Sequence, residues 1–194
     1  MNKRQLHIII MGAPGCGKGT QAKQIVSNFG FVHLSTGELF RKKYSQKNQE
    51  TIAFKHAIDK GGFFSDEMAY QIIQDFISEN SEVEGIIYDG FPRDIAQAKY
   101  FRKHICTNPI VIELKADEEQ LIDRILKRAS KKNRKDDQSE KTIQHRMELY
   151  RKKTYPVVDL FAKEDLLHTY HSEGKIEKVA NQIKELIEKM QQKH

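Results

Sequence analysis

An apolar run, Leu6-His-Ile-Ile-Ile-Met11, leads directly into Gly12-Ala-Pro-Gly-Cys-Gly-Lys-Gly-Thr20, and this junction restricts the chain more than any other stretch. The run suits a buried strand. Glycines let the backbone after it curl until successive N–H groups point at one centre. A helix starting near Lys18 adds the positive end of its dipole. Strand, glycine-rich turn and helix in that order form a phosphate-binding loop, with the mobile Lys18 ammonium placed for terminal phosphates. One position departs from the general pattern. The residue after the lysine is ordinarily Ser or Thr, which holds magnesium; here it is Gly19, and the hydroxyl follows at Thr20. Mg²⁺ is therefore expected to be held mainly by phosphates and water, with Thr20 close by.

The rest of the chain alternates strand and helix signals. A helix over 18–28 ends at Gly30, followed by a short strand, Phe31–Leu34. Ser35 and Glu38 have capping-box spacing and start a helix at Thr36. Residues 50–60 read as helical up to Gly61-Gly62, and Asp66-Glu67 opens another helix to about Ser78. Strands are expected at Ile86–Asp89, Ile110–Leu114 and Leu167–Tyr170. Asp117 caps a helix to about Ala129, 130–138 reads as a loop, and a helix from Glu140 to Lys153 is limited by Pro156. The last segment places Ile176, Val179, Ile183, Leu186, Ile187 and Met190 at helical spacing. That stripe serves core packing or a partner, and packing is the commoner use. The alternation predicts an α/β fold, a five-stranded parallel sheet with helices on both faces, whose ligand sits at the carboxyl ends of the strands. The glycine loop and Asp89 both fall there.

With 194 residues, one compact domain is expected. No stretch approaches the roughly 18 apolar residues of a membrane span, and the short polar Met1–Gln5 does not resemble a signal peptide. Cys16 and Cys106 have no metal spacing and suggest no disulfide framework, which points to a cytoplasmic enzyme. The net charge of +6 fits either nucleic acid or a site for small polyanions. The tract Lys127-Arg-Ala-Ser-Lys-Lys-Asn-Arg-Lys135 taken alone suggests a targeting signal or an RNA patch. Aromatic residues do not interleave with it, which weakens single-strand binding.

Two further motifs carry chemistry. In Tyr88-Asp-Gly-Phe-Pro-Arg-Asp-Ile-Ala-Gln97, Asp89 ends a buried strand beside the glycine loop, where a carboxylate can orient metal-bound water. Alone, it would equally well be a capping or salt-bridging acid. Arg93 follows a proline-fixed turn, and its planar fork suits phosphate oxygens. Gln97, one helical turn on, can donate and accept as an adenine edge requires. In His33-Leu-Ser-Thr-Gly-Glu-Leu-Phe-Arg41, Thr36 offers a hydroxyl at a helix start, and Arg41 lies about one and a half turns further on.

Together these segments resemble the adenylate kinases of the nucleoside monophosphate kinase family. The carrying residues are Gly12–Ala22, Leu34-Ser-Thr-Gly-Glu38, Asp89-Gly-Phe-Pro-Arg93 with Gln97, and Arg134-Lys-Asp-Asp137, spread from about Leu6 to Gly174. The resemblance implies a single P-loop kinase domain, 1–194, with a small helical AMP-binding segment over 35–64 and a lid over 128–138. It implies that Gly15, Cys16, Gly17, Lys18, Gly19 and Thr20 hold the ATP phosphates. Arg124 would lie against the ATP base and Gly174 would contact it through its backbone. AMP would be held by Thr36, Arg41, Gly90, Arg93 and Gln97, with Gly62, Phe63 and Phe64 lining its adenine pocket. Arg128, Arg134 and Arg146 would close over the transferring group, so the basic tract becomes a lid rather than an RNA patch. Only five residues separate Arg128 from Arg134, with no Cys or His among them; the resemblance is to the short-lid type without zinc.

The implied reaction is ATP + AMP ⇌ 2 ADP with Mg²⁺, run by positioning and by cations, with Lys18, Arg93, Arg128, Arg134 and Arg146 as its catalytic set. No general base is required. Asp136 and Asp137 would anchor lid arginines or the closed conformation, and Mg²⁺ would lie near Thr20 and, through water, Asp89. The expected partners are ATP, AMP and ADP, with no nucleic acid or membrane, and the expected state is a monomer. Two positions depart from the family. Phe63-Phe64-Ser65 stands where the family has a smaller aliphatic pair followed by Pro or Thr, which bears on the acceptor pocket's shape. Cys16 replaces a small residue, and a thiolate at a helix N-terminus would make the protein sensitive to oxidants. The rival readings are a UMP/CMP kinase, and a nucleotide- or RNA-binding regulatory protein that would show steeply salt-dependent binding without transfer.

Overall fold

The computed structural model describes residues 5–43, 65–132 and 139–192, with the backbone alone for 40–43 and 130–132. Strands β1 (Leu6–Met11), β2 (Val32–Ser35), β3 (Gly85–Asp89), β4 (Ile110–Lys115) and β5 (Leu167–His171) form one sheet in the order β2-β3-β1-β4-β5. Every pairing is parallel. The central β1 is apolar along nearly its whole length because both faces of the sheet are covered: Ile8, Ile9 and Ile10 are at most 2% exposed.

Successive strand residues feed two cores. Ile8, Ile10 and Ile112 pack with Ala22 and Ile25 of α1 (Lys18–Phe29) and with Val179, Ile183 and Ile187 of α8 (Ile176–Gln191). Ile9, Ile86, Tyr88 and Val111 pack on the other face. Their partners are Ala69 and Ile73 of α3 (Asp66–Glu79), Ala98 and Phe101 of α4 (Ile95–His104), and Val157, Val158 and Phe161 of α7 (Tyr155–Lys163). The result is the three-layer α/β/α arrangement expected from the alternation. The terminal apolar stripe is a packing face, with Val179, Ile183 and Ile187 buried.

Helix α2 (Thr36–Lys43) starts where the capping spacing placed it: the Glu38 N–H donates to Ser35 Oγ at 3.4 Å. Two sequence expectations change. Helix α5 (Glu118–Lys132) runs through residues 130–132, so the segment read as loop begins helical. Pro156 does not end the helical path after α6 (Glu140–Leu149). A π turn, Tyr150–Thr154, follows α6, and Pro156 then sits in the first turn of α7, where a missing N–H costs least. Reading that proline as a stop hid α7. The expected helix over 50–60 lies outside the described residues. No helix among the described residues is long and apolar enough to cross a membrane.

Candidate active site

A cleft of about 700 Å³ opens at the carboxyl ends of β1 and β3, where the chain passes from Met11 into the glycine loop and from Asp89 into Gly90. Gly17 caps α1 in a left-handed conformation, φ +99°, which points the first N–H groups of the helix into the loop. The Lys18 ammonium donates to the carbonyl oxygens of Gly12 at 2.7 Å and Ala13 at 3.0 Å, and lies 3.6 Å from Cys16 Sγ. Both carbonyls are neutral acceptors, weaker partners for an ammonium than an ionised phosphate oxygen. Cys16 itself is fully buried.

Helices α5 and α6 add Arg124, Lys127, Arg128 and Arg146 to the same cleft. The Arg124 guanidinium donates to the Ser172 carbonyl at 2.8 Å, and Ser172 N–H donates to the Lys115 carbonyl at 2.7 Å. The Gln21 amide donates to the Ile176 carbonyl at 3.2 Å. These bonds fix the turn containing Gly174, φ +91°, against both α5 and α1.

The opposite phosphate-binding candidate is built from side chains. Arg93 Nε donates to the Gly90 carbonyl at 2.7 Å, its backbone N–H donates to Gln97 Oε1 at 2.8 Å, and its carbonyl accepts from Thr154 Oγ1 at 2.8 Å. Gln97 Nε2 in turn donates to Asp66 Oδ1 at 2.8 Å. Gly90 has φ +88°, and a Cβ there would lie 2.6 Å from Thr36 Oγ1 and 3.1 Å from Arg93 Nη2. Burial pushes the Asp89 carboxyl up, but the His33 ring, the Lys18 ammonium and the Arg93 guanidinium outweigh it and hold the group below its ordinary value. His33 Nε2 faces Asp89 Oδ2 at 3.5 Å. Burial, with Glu113 nearby, raises the Tyr150 phenol, which also lines the cleft and stays protonated.

The family model for adenylate kinase matches residues 10–166 of this chain. The chain is 37% identical to adenylate kinase from Porphyromonas gingivalis over 188 residues, 95% of this chain and 96% of that protein. It is 34% identical to adenylate kinase from Phocaeicola vulgatus over 189 residues, 95% and 100% of the two chains. Adenylate kinase from Maricaulis maris is 34% identical over 187 residues, 94% and 99%. The chain belongs to the adenylate kinase family.

For an adenylate kinase fold, the cleft gathers most of the residues read from sequence. Gly15, Cys16, Gly17, Lys18, Gly19 and Thr20 line it, as do Gly90, Arg93, Arg124, Arg128, Arg146 and Gly174. Thr36 and Gln97 do not. The Thr36 hydroxyl turns back to the carbonyls of Asp89 and Gly90, at 3.3 and 3.1 Å. The Gln97 carboxamide is buried and occupied by Arg93 and Asp66. The Arg41 side chain, Gly62, Phe63, Phe64, Arg134, Asp136 and Asp137 lie outside the described residues. Sequence reasoning missed His33, Tyr150 and Thr154, which also line the cleft. His33 was legible as a polar residue within an apolar strand pattern. Thr154 had no signal, because the π turn that presents it has no sequence signature.

Proposed function

We propose that this protein catalyses reversible, Mg²⁺-dependent phosphoryl transfer between ATP and AMP, yielding two ADP. The observation that carries the reading is one cleft in which a phosphate loop with Lys18 and a separately braced Arg93 are joined by Arg128 and Arg146 from two further helices. One phosphate cradle suits a nucleotide triphosphate; a second guanidinium site suits an acceptor phosphate.

In this reading the loop N–H groups and Lys18 hold the β- and γ-phosphates of ATP, and Lys18 leaves the Gly12 and Ala13 carbonyls to do so. Arg93 holds the AMP phosphate, with Arg41 assisting. Arg128, Arg134 and Arg146 match the charge spread over the transferring group, and none of these arginines needs to titrate. Arg124 and the Gly174 backbone hold the donor base. Gln97 meets the acceptor adenine by letting go of Asp66, while Thr36, Gly90 and the Gly62–Phe64 backbone complete that pocket. The donor set fits Mg²⁺: one ionised carboxylate, Asp89, and one hydroxyl, Thr20, suit an ion that keeps several waters and binds substrate phosphates. When bound, the ion supplies charge neutralisation between the phosphates. The 35–64 segment and the 128–138 lid close over the substrates within one domain, 1–194, and keep water out. The protein works as a cytoplasmic monomer, and its basic tract serves nucleotides rather than nucleic acid.

The test is transfer from Mg-ATP to AMP, dAMP, UMP, CMP and GMP, with Lys18→Ala as control. Rapid, Lys18-dependent conversion of AMP is the expected result. Preference for UMP or CMP would keep the mechanism and overturn the roles of Thr36 and Gln97. No transfer to any acceptor, with salt-sensitive RNA binding, would favour the regulatory reading.

A further inference from the structure

Thr154 belongs to none of the sequence motifs, yet its hydroxyl holds the Arg93 carbonyl across 61 residues of chain. A threonine in a helix ordinarily turns its hydroxyl to a carbonyl three or four residues back in its own helix. Here it leaves its helix to brace a loop. The π turn explains the geometry. Tyr155 N–H bonds the Tyr150 carbonyl, five residues back. In a regular α-helix, positions 146 and 154 differ by about 80° around the axis, at about 100° per residue. One residue inserted by a π turn removes about 100° of that rotation and returns position 154 to within about 20° of position 146. Arg146, Tyr150 and Thr154 accordingly all line the cleft.

We propose that Thr154 is a positioning residue for phosphoryl transfer, its hydroxyl holding Arg93 in register with Arg146. The inference rests on the adenylate kinase reading, in which those two guanidinium groups meet the acceptor phosphate and the transferring group. Gly90 and Gln97 brace Arg93 from its own segment; Thr154 braces it from the helical path that carries Arg146. Without this tie the two cations are set by separate elements, and misplacement of about 1 Å can cost about a hundredfold in rate.

The experiment compares Thr154→Val, Thr154→Ala and Thr154→Ser in the full chain by steady-state kinetics with Mg-ATP and AMP, alongside thermal unfolding. Val keeps the shape and removes the hydroxyl, whereas Ser keeps the hydroxyl. The expected result is a fall in kcat of about 10- to 100-fold for T154V and T154A, with KM for AMP raised several-fold and KM for ATP within about twofold. T154S should stay within about threefold of wild type. Kinetic constants of T154V within twofold of wild type would overturn the role, as would equal losses in T154V and T154S. If T154V does not fold, T154A against T154S decides by the same criterion. Failure of both Val and Ala variants to fold would make the hydroxyl a structural bond and overturn the proposal. Wild-type protein that turns over no monophosphate would overturn the adenylate kinase reading and this role with it.

Discussion

In the proposed reading, the two ends of the cleft hold phosphate by different means. At the loop end the main donors are backbone N–H groups, and the sole loop cation, Lys18, rests on carbonyls of its own loop. At the Arg93 end the donor is a side chain, braced by Gly90, Gln97 and Thr154, with Gln97 braced by Asp66. A backbone cradle is local: the consecutive residues from Gly12 to Thr20 complete it. A side-chain clamp is assembled from α3, the β3–α4 turn, α4 and the π turn before α7. The cradle should therefore tolerate changes that spare its N–H groups and Lys18. The clamp should be sensitive at several separated positions whose effects do not add.

The largest effects fall on the cations themselves. Lys18→Ala should lower turnover by about 10³-fold or more, and Arg93→Ala by about 10²- to 10³-fold, with melting temperatures within a few degrees of wild type. The comparison sharpens with Arg93→Lys. An ammonium cannot bond the Gly90 carbonyl through Nε while presenting a fork to phosphate, so the lysine should rescue little. Steady-state kinetics with circular dichroism would check all three. Near-normal rates for Arg93→Lys would show that the clamp needs only charge.

Two glycines test the same contrast at smaller cost. Gly17, φ +99°, has open space where a Cβ would sit, so Gly17→Ala incurs only backbone strain, about 1–3 kcal/mol. Gly90→Ala incurs similar strain and also pushes a methyl into Thr36 Oγ1 and Arg93 Nη2. It should lose more stability than Gly17→Ala and about 10²-fold in kcat/KM for AMP, with KM for ATP little changed. Denaturant melts and acceptor kinetics would measure both. Equal losses on the two substrates would show that the clamp and the cradle are not separable.

The same difference decides what could be read from the sequence. The cradle was legible because strand, loop and helix are consecutive from Leu6 through Lys18. Five parallel strands followed from apolar runs between helix signals. Arg93 was legible from its proline turn. The bonding of Gln97 was not, since its partner Asp66 lies 31 residues away and was visible only as a first-turn acid. Thr154 was hidden twice: its hydroxyl reaches across 61 residues, and Pro156 read as a stop where it starts α7. Local chemistry is written in short spacings, whereas braces from distant elements emerge only when the chain is folded.

Acid should weaken the junction between the two ends. Asp89, at the end of β3, is held below its ordinary pKa of 3.8 by His33, Lys18 and Arg93 against the opposing effect of burial. A carboxyl lowered on folding adds stability above its unfolded value and loses that contribution as pH falls through its folded value. The melting-temperature gap between wild type and Asp89→Asn should therefore be full near pH 6 and close below about pH 4. A gap that stays constant down to about pH 3 would show that the carboxylate gains nothing from those neighbours.

The smallest expected effect concerns the cysteines, and it asks how closed the cradle is. A thiolate at a helix N-terminus suggests sensitivity to oxidants, but Cys16, a residue of the loop itself, is fully buried. Reagents reach it only when the loop opens, whereas Cys106 is half-buried beyond the end of α4. A bulky aromatic disulfide should therefore label Cys106 first, and activity should survive that first equivalent. Cys106→Ser protein should then react slowly, and more slowly still with Mg-ATP present, because a ligand that binds the closed loop lowers the open population. Loss of activity in step with the first equivalent would mean that the loop opens readily on its own. The cradle would then need its nucleotide to be ordered, and the contrast with the braced Arg93 would reverse.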